Sequence, residues 1–217
     1  VSLYNESKDD NGNITPIQPT PVIGMVGIID DVSKSVKSGW KNDNDEIWLI
    51  GSESSEATLG ASAYLEYCHG IVKGRPPEIN LEDEKNIQKI IRTGILDGLI
   101  SSCHDVSDGG LAISIAECCI LSLKGAEVLL EGDQRIDDLL FSEGGSRFVF
   151  SVDKTKTNQW KEFLQKQKIF LKQSIYMRRI GYVTNDSLTF KHNSNLLCNL
   201  KMSTLTDKFN NGIKSNF

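Results

Sequence analysis

The chain reads as short apolar runs separated by longer stretches in which apolar residues return at helical spacing. Residues 22–29, VIGMVGII, form a near-continuous β-branched run closed by Asp30 and Asp31, and predict a buried strand. Residues 46–51, 99–106, 126–130, 147–152, 175–183 and 188–190 predict further strands. Helical spacing fills the gaps. Leu59, Ala63 and Leu65 mark a helix over 59–69. Asn80 stands where an N-cap belongs, Asp83 follows three residues on, and Ile87, Ile90, Ile91 and Ile95 mark one helical face running to about Asp97. Residues 111–123 predict a helix and 137–141 a short helical turn. Asp153 caps a helix running to about Gln167, with Trp160, Phe163 and Leu164 on its apolar side. Strands and helices alternate, with hairpin-like pairs near the end. The fold class is therefore α+β, a mixed β-sheet covered by helices, rather than a purely parallel doubly wound sheet.

Polar punctuation suggests how the chain is divided. Residues 5–21 are rich in turn formers, with Asn11-Gly12 and three prolines, and predict an exposed loop. Residues 33–45 are polar apart from Val36 and Trp40 and predict a linker. The expected organisation is residues 1–32 as the end of one domain, 33–45 as the linker and 46–217 as a second domain. The chain opens on Val1 and runs at once into VSLYNE, so it is expected to be a fragment or a processed product.

Composition narrows the function classes. Against 29 acidic residues stand 24 Lys and Arg, a formal net charge of −5, which offers no general attraction to nucleic acid. The five cysteines, at 68, 103, 118, 119 and 198, form no C-x-x-C pair and predict free, mostly buried thiols in a reducing cytosol rather than a zinc site. No apolar run reaches the roughly 18 residues of a membrane span.

The densest chemistry lies at 101–111, SSCHDVSDGGL, where a predicted strand runs into a helix. Such a junction points backbone N–H groups and the positive end of the helix dipole outward. Gly109 and Gly110 permit tight turning and close approach. Asp105 and Asp108 suit magnesium, and Ser107 with the N–H groups suits phosphate oxygens. The other reading is local: Asp108 or Ser107 caps the helix, and His104 is a satisfied core histidine. In the FSEGGSR stretch, Ser142, Glu143 and Ser146 are either ligand contacts or fold-keeping groups. Arg147 binds a phosphate or makes a surface salt bridge, and Glu143 pairs with it or caps a turn.

HDVSDGGLAISIAE at 104–117 resembles the strand–turn–helix signature of the C-terminal domain in the aminoimidazole-ribonucleotide-synthetase-like superfamily. VSLYNES at 1–7, PTPVIGMVGIIDDV at 19–32 and LLFSEGGSRFVFSV at 139–152 are similar, in order, to segments of phosphoribosylformylglycinamidine synthases. The resemblance covers nearly the whole chain and implies the C-terminal domain of that fold, preceded by a strand from the previous domain.

The resemblance also implies a chemistry. Members convert formylglycinamide ribonucleotide to formylglycinamidine ribonucleotide with ATP and Mg2+. Phosphorylation turns the amide oxygen into a leaving group, and ammonia from a glutaminase subunit or domain displaces it. Short-form members add a small accessory subunit. Ser2 falls where the family has a substrate-contacting serine, and Asp105 and Ser107 match positions that contact magnesium and nucleotide phosphate at an auxiliary site. No catalytic residue of the family falls within these 217 residues, so the chain alone is expected to be inactive. A cytoplasmic location follows from the resemblance, with no nucleic-acid or membrane partner. The competing expectations are a non-catalytic domain that keeps the fold and another superfamily enzyme such as a selenophosphate synthetase. The end of the chain lacks the Trp-containing segment common in the family.

Overall fold

The structure, a computed structural model, describes residues 5–17, 22–52, 57–167 and 174–212. The chain forms two compact units, Val1–Val32 and Ser33–Phe217.

In the first unit, β1 (Glu6–Lys8) pairs antiparallel with β2 (Ile14–Pro16). The turn-rich stretch expected as an open loop is thus a small hairpin. Its tip is organised by Asp9, whose carboxylate accepts from the backbone N–H groups of Asn11 and Asn13 and from Asn13 Nδ2, at 2.8–2.9 Å. Residues 22–29 form no strand, contrary to the expectation from their composition. A strand exists only with a partner for its N–H and C=O groups, and no described residue provides one here. Val22, Met25, Val26 and Ile28 consequently lie more than nine-tenths exposed.

The second unit is built on a seven-stranded mixed sheet. Its strands are β3 (Glu46–Ser52), β4 (Ile100–Asp105), β5 (Gly125–Leu130), β6 (Phe148–Val152), β7 (Ile175–Thr184), β8 (Ser187–His192) and β9 (Asn195–Lys201). They lie in the order β4-β6-β3-β7-β5-β8-β9. All neighbours are antiparallel except β5 and β8. The last two strands expected, β7 and β8, are not neighbours, because β5 lies between them; the hairpin near the end is β8–β9. Asn193 and Ser194 both take positive φ at its tip (46° and 69°), as a two-residue hairpin turn requires. Strand β9 was not foreseen, because its exposed sequence lacks a buried alternating face.

Among the described residues there are six α-helices: α1 (Ala63–His69), α2 (Leu81–Leu96), α3 (Gly110–Ser122), α4 (Ile136–Phe141), α5 (Thr157–Gln167) and α6 (Met202–Asn211). They cover both faces of the sheet, so the central strand β3 is buried along its whole length. Its alternate residues feed two cores. Ile47 and Leu49 join Leu111, Ile115, Val128 and Val149 on the side of α3 and α4. Trp48 and Ile50 join Ile87, Ile90, Phe150 and Trp160 on the side of α2 and α5. Asn80 caps α2, accepting from the N–H groups of Glu82 and Asp83 at 3.1 Å. Trp160 is fully buried and packs edge-on to Trp48 and Phe150.

Residues 33–45 belong to this second unit by their contacts. The Trp40 indole is buried and donates to Cys119 Sγ (3.2 Å), while the Lys37 carbonyl accepts from Cys103 N–H (3.1 Å) beside β4. All five cysteines are free thiols. Burial pushes the Cys103 and Cys119 thiols up to about 12.

Candidate functional site

The glycine turn leaves β4 at Asp105 and enters α3 at Gly110. Val106 N–H donates to the Arg147 carbonyl (3.0 Å), which ties the turn to the start of β6. Gly109 and Gly110 have φ of 78° and 69°, where a side chain is strained. A Cβ on Gly110 would lie 2.7 Å from the Phe141 carbonyl carbon and the Ser142 oxygen, so only glycine lets the turn pack against the end of α4.

The helix-capping alternative for Ser107 and Asp108 does not hold. The N-cap of α3 is Gly109, with no side-chain cap of its own. The group at that helix end is Glu143, from the FSEGGSR stretch. Its Oε1 accepts from Gly109 N–H (2.7 Å) and from Ala63 N–H at the start of α1 (2.8 Å). The Glu143 backbone exchanges two hydrogen bonds with Thr58, at 2.9 and 3.0 Å. One residue therefore clamps the glycine turn, α1 and the strand end of the 57–58 segment. Of its two expected roles it takes the second, capping a turn.

His104 is taken up by its surroundings. Its Nε2 lies 3.2 Å from the Glu117 carboxylate and its Nδ1 2.7 Å from the Asp105 carbonyl, which leaves no ring nitrogen for a base. Asp105, by contrast, has a side chain 65% exposed, and among the described residues neither Ser107 nor Asp108 has a side-chain hydrogen-bond partner. These three residues line an open cavity of about 560 Å³ together with Glu84, Glu143 and Arg147. The walls thus carry four carboxylates against one guanidinium. Among the described residues no group of three or more His, Cys, Asp or Glu side chains converges as a complete metal cage. Magnesium does not need one: it is commonly held by one or two carboxylates together with substrate phosphates. The donor set of Asp105, Asp108 and Ser107 fits such a pair.

Arg147 is not on the surface. It is 7% exposed, and its Nη1 donates to the Ser142 carbonyl (2.9 Å). Among the described residues it forms no ion pair, against the surface salt bridge that is one reading of the sequence. Ser146 donates to the Glu84 carboxylate. Ser2 lies outside the described residues. Sequence reasoning named Glu143 and Arg147 without fixing their roles. The only available signal was a motif mixing Glu, two glycines, Ser and Arg within six residues.

Residues 42–192 match the family described as AIR synthase related protein, C-terminal domain. The chain belongs to that family. It is 55% identical, over its whole length, to the phosphoribosylformylglycinamidine synthase subunit PurL of Prochlorococcus marinus strain AS9601, and it spans 28% of that relative. The PurL of strain NATL1A is 39% identical over 98% of the chain. Among solved structures, Thermotoga maritima PurL complexed with FGAR superposes with a TM-score of 0.64 at 16% identity, covering 81% of this chain and 30% of that one. This last likeness shows the fold, a mixed sheet flanked by helices. Both the fold class and the family resemblance are therefore borne out.

Proposed function

We propose that the chain is the C-terminal part of an ATP-dependent ligase that converts formylglycinamide ribonucleotide to formylglycinamidine ribonucleotide. The observation that carries the reading is 55% identity, along the entire chain, to a phosphoribosylformylglycinamidine synthase subunit. Thermotoga maritima PurL is described in complex with ATP, in complex with FGAR, and within a PurLQS assembly. On this reading the partners are a glutaminase that supplies ammonia and, in a short-form enzyme, a small accessory subunit, in the cytoplasm. Among the described residues no helix is long and apolar enough to cross a membrane.

Residues 1–32 then form the end of an ATP- and substrate-binding domain, with Ser2 against substrate. Residues 33–45 connect to the final domain, 46–217. The exposed run at 22–29 finds its strand partner in the preceding domain, which would give its backbone and its apolar side chains the burial they lack here.

The acid-walled cavity is the nucleotide-phosphate site of this final domain. Asp105 holds Mg2+, with Asp108 near it, and Ser107 donates to a phosphate oxygen. The metal would supply positive charge that offsets the phosphate charge. Glu143 keeps Gly109 and Gly110 in place, and its carboxylate occupies the end of α3. A phosphate here would be met by Ser107, beside the metal that Asp105 would hold, rather than by the bare helix terminus.

The test is calorimetry of Mg-ADP binding to the full-length enzyme and to its Asp105→Ala and Ser107→Ala forms. Loss of a metal ligand should weaken binding at this site at least tenfold, and loss of Ser107 severalfold. Equal binding by all three would make the turn structural. The 217-residue chain, assayed with substrate, ATP and ammonium salt, should show no turnover. Turnover would overturn the placing of the catalytic groups elsewhere.

A further inference from the structure

A second cavity, of about 570 Å³, lies on the other side of Arg147, over the sheet face that carries α3 and α4. Its chemistry is opposite to that of the acid-walled site. Among the described residues that line it, Arg147 and Arg178 stand against one carboxylate, that of Asp138. The strand register explains why the two arginines share a face. Leu49 pairs with both Val149 and Arg178, and Arg147 stands two residues before Val149 on the same side of β6. Tyr176, whose ring lies where a side chain on Gly51 would be, forms part of the wall. Arg178 in turn lies 5.8 Å over that ring.

Arg147 carries the argument. It is more than nine-tenths buried, and among the described residues it has no carboxylate partner and its Nε–H has no acceptor. A buried lysine can lose its proton and relieve the cost; an arginine cannot, because its guanidinium stays charged at any ordinary pH. A buried, permanent charge with an unused N–H calls for an anion. The acid-walled cavity repels a free anion with its four carboxylates, whereas this one adds a second guanidinium. Hydroxyl groups of Thr58 and Ser142 lie in the same wall.

We propose that this cavity binds a phosphate monoester, gripped between Arg147 and Arg178 without a metal. Two guanidinium forks match the several oxygens of a phosphate better than the two of a carboxylate. Asp138 faces the remainder of the ligand and accepts from a hydroxyl or amino group on it. The site goes beyond the proposed ligase reading and is independent of it, because it uses neither Asp105 nor magnesium.

The experiment is calorimetric titration of the 217-residue chain in EDTA with inorganic phosphate, ribose 5-phosphate and, as a carboxylate control, acetate. Saturable binding of both phosphates is expected, with acetate at least tenfold weaker. Arg178→Gln sits at the exposed side of the cavity, so it keeps the fold and should weaken phosphate binding at least tenfold. Arg147→Gln should do the same where circular dichroism shows it folded. Asp105→Ala should change nothing in EDTA, while its effect on Mg-nucleotide binding reports separately on the ligase reading. The proposal is overturned if neither phosphate binds, if Arg178→Gln binds as tightly as wild type, if Asp105→Ala removes the binding, or if acetate binds as well as phosphate.

Discussion

At the residue scale, single side chains join segments far apart in sequence. Glu143 holds Gly109 and Ala63 with one oxygen. Glu143→Ala would leave two backbone N–H groups without their acceptor. Hydrogen bonds to a charged group are worth about 1.5–3 kcal/mol each, and the two share one oxygen, so a loss of about 3 kcal/mol is expected in urea unfolding. Glu143→Gln keeps an acceptor and should lose about 1 kcal/mol. An equal loss for both variants would show that the charge, rather than the acceptor, holds the turn. This clamp also marks the limit of what the sequence discloses. HDVSDGG can be recognised as a strand–turn–helix junction because glycines and carboxylates cluster there. That the carboxylate at the helix end would be Glu143, 34 residues downstream of Gly109, depends on tertiary contact alone. Likewise, nothing local distinguishes the buried Arg147 from an exposed one.

At the scale of elements, the α3 junction tolerates little change. Gly110→Ala would add strain at φ 69° and a contact of 2.7 Å with the backbone of Phe141 and Ser142. A loss of at least about 2 kcal/mol is expected, read as a lower urea midpoint with an unchanged slope. An unaltered midpoint would mean that the end of α4 moves aside freely. Most elements were visible in the sequence because their burial is regular: α2 through its isoleucine stripe and Asn80 cap, and β3 and β6 through apolar runs that pack on both faces. The exposed strands went unseen for physical reasons. The β1–β2 hairpin is fully exposed and is held by the side chain of Asp9 and not by a core. Strand β9 lies at the sheet edge with little buried surface. The run at 22–29 misled in the other direction. Its residues favour a strand, but propensity cannot supply a hydrogen-bonding neighbour.

At the scale of the whole molecule, stability should depend on pH through Asp45. Burial, reinforced by the nearby Asp153 charge, raises its carboxyl above the ordinary value, with Asn42 hydrogen bonds opposing. The folded state therefore holds this proton more tightly than the unfolded state does. The charged form costs nothing below the ordinary carboxylate range, and the cost grows as pH rises through the folded pKa. Asp45→Asn should therefore melt above wild type at pH 7, with the difference fading as pH falls toward 3. A difference that grows on acidification would reverse the assignment.

The strand order carries one more consequence, for how the protein is made. Strands β3, β4 and β5 have no pairing with one another: β3 lies between β6 and β7, β4 beside β6, and β5 between β7 and β8. A chain emerging from the ribosome has therefore made three strands and four helices of this unit before any two strands can pair. Its first ladder waits for Phe148–Val152, and β5 stays unpaired until Gly181 to Thr184 of β7 have been added. Through that interval the apolar residues of β3 and β5 have no sheet to enter, so the nascent chain is at its most vulnerable to aggregation late in its synthesis.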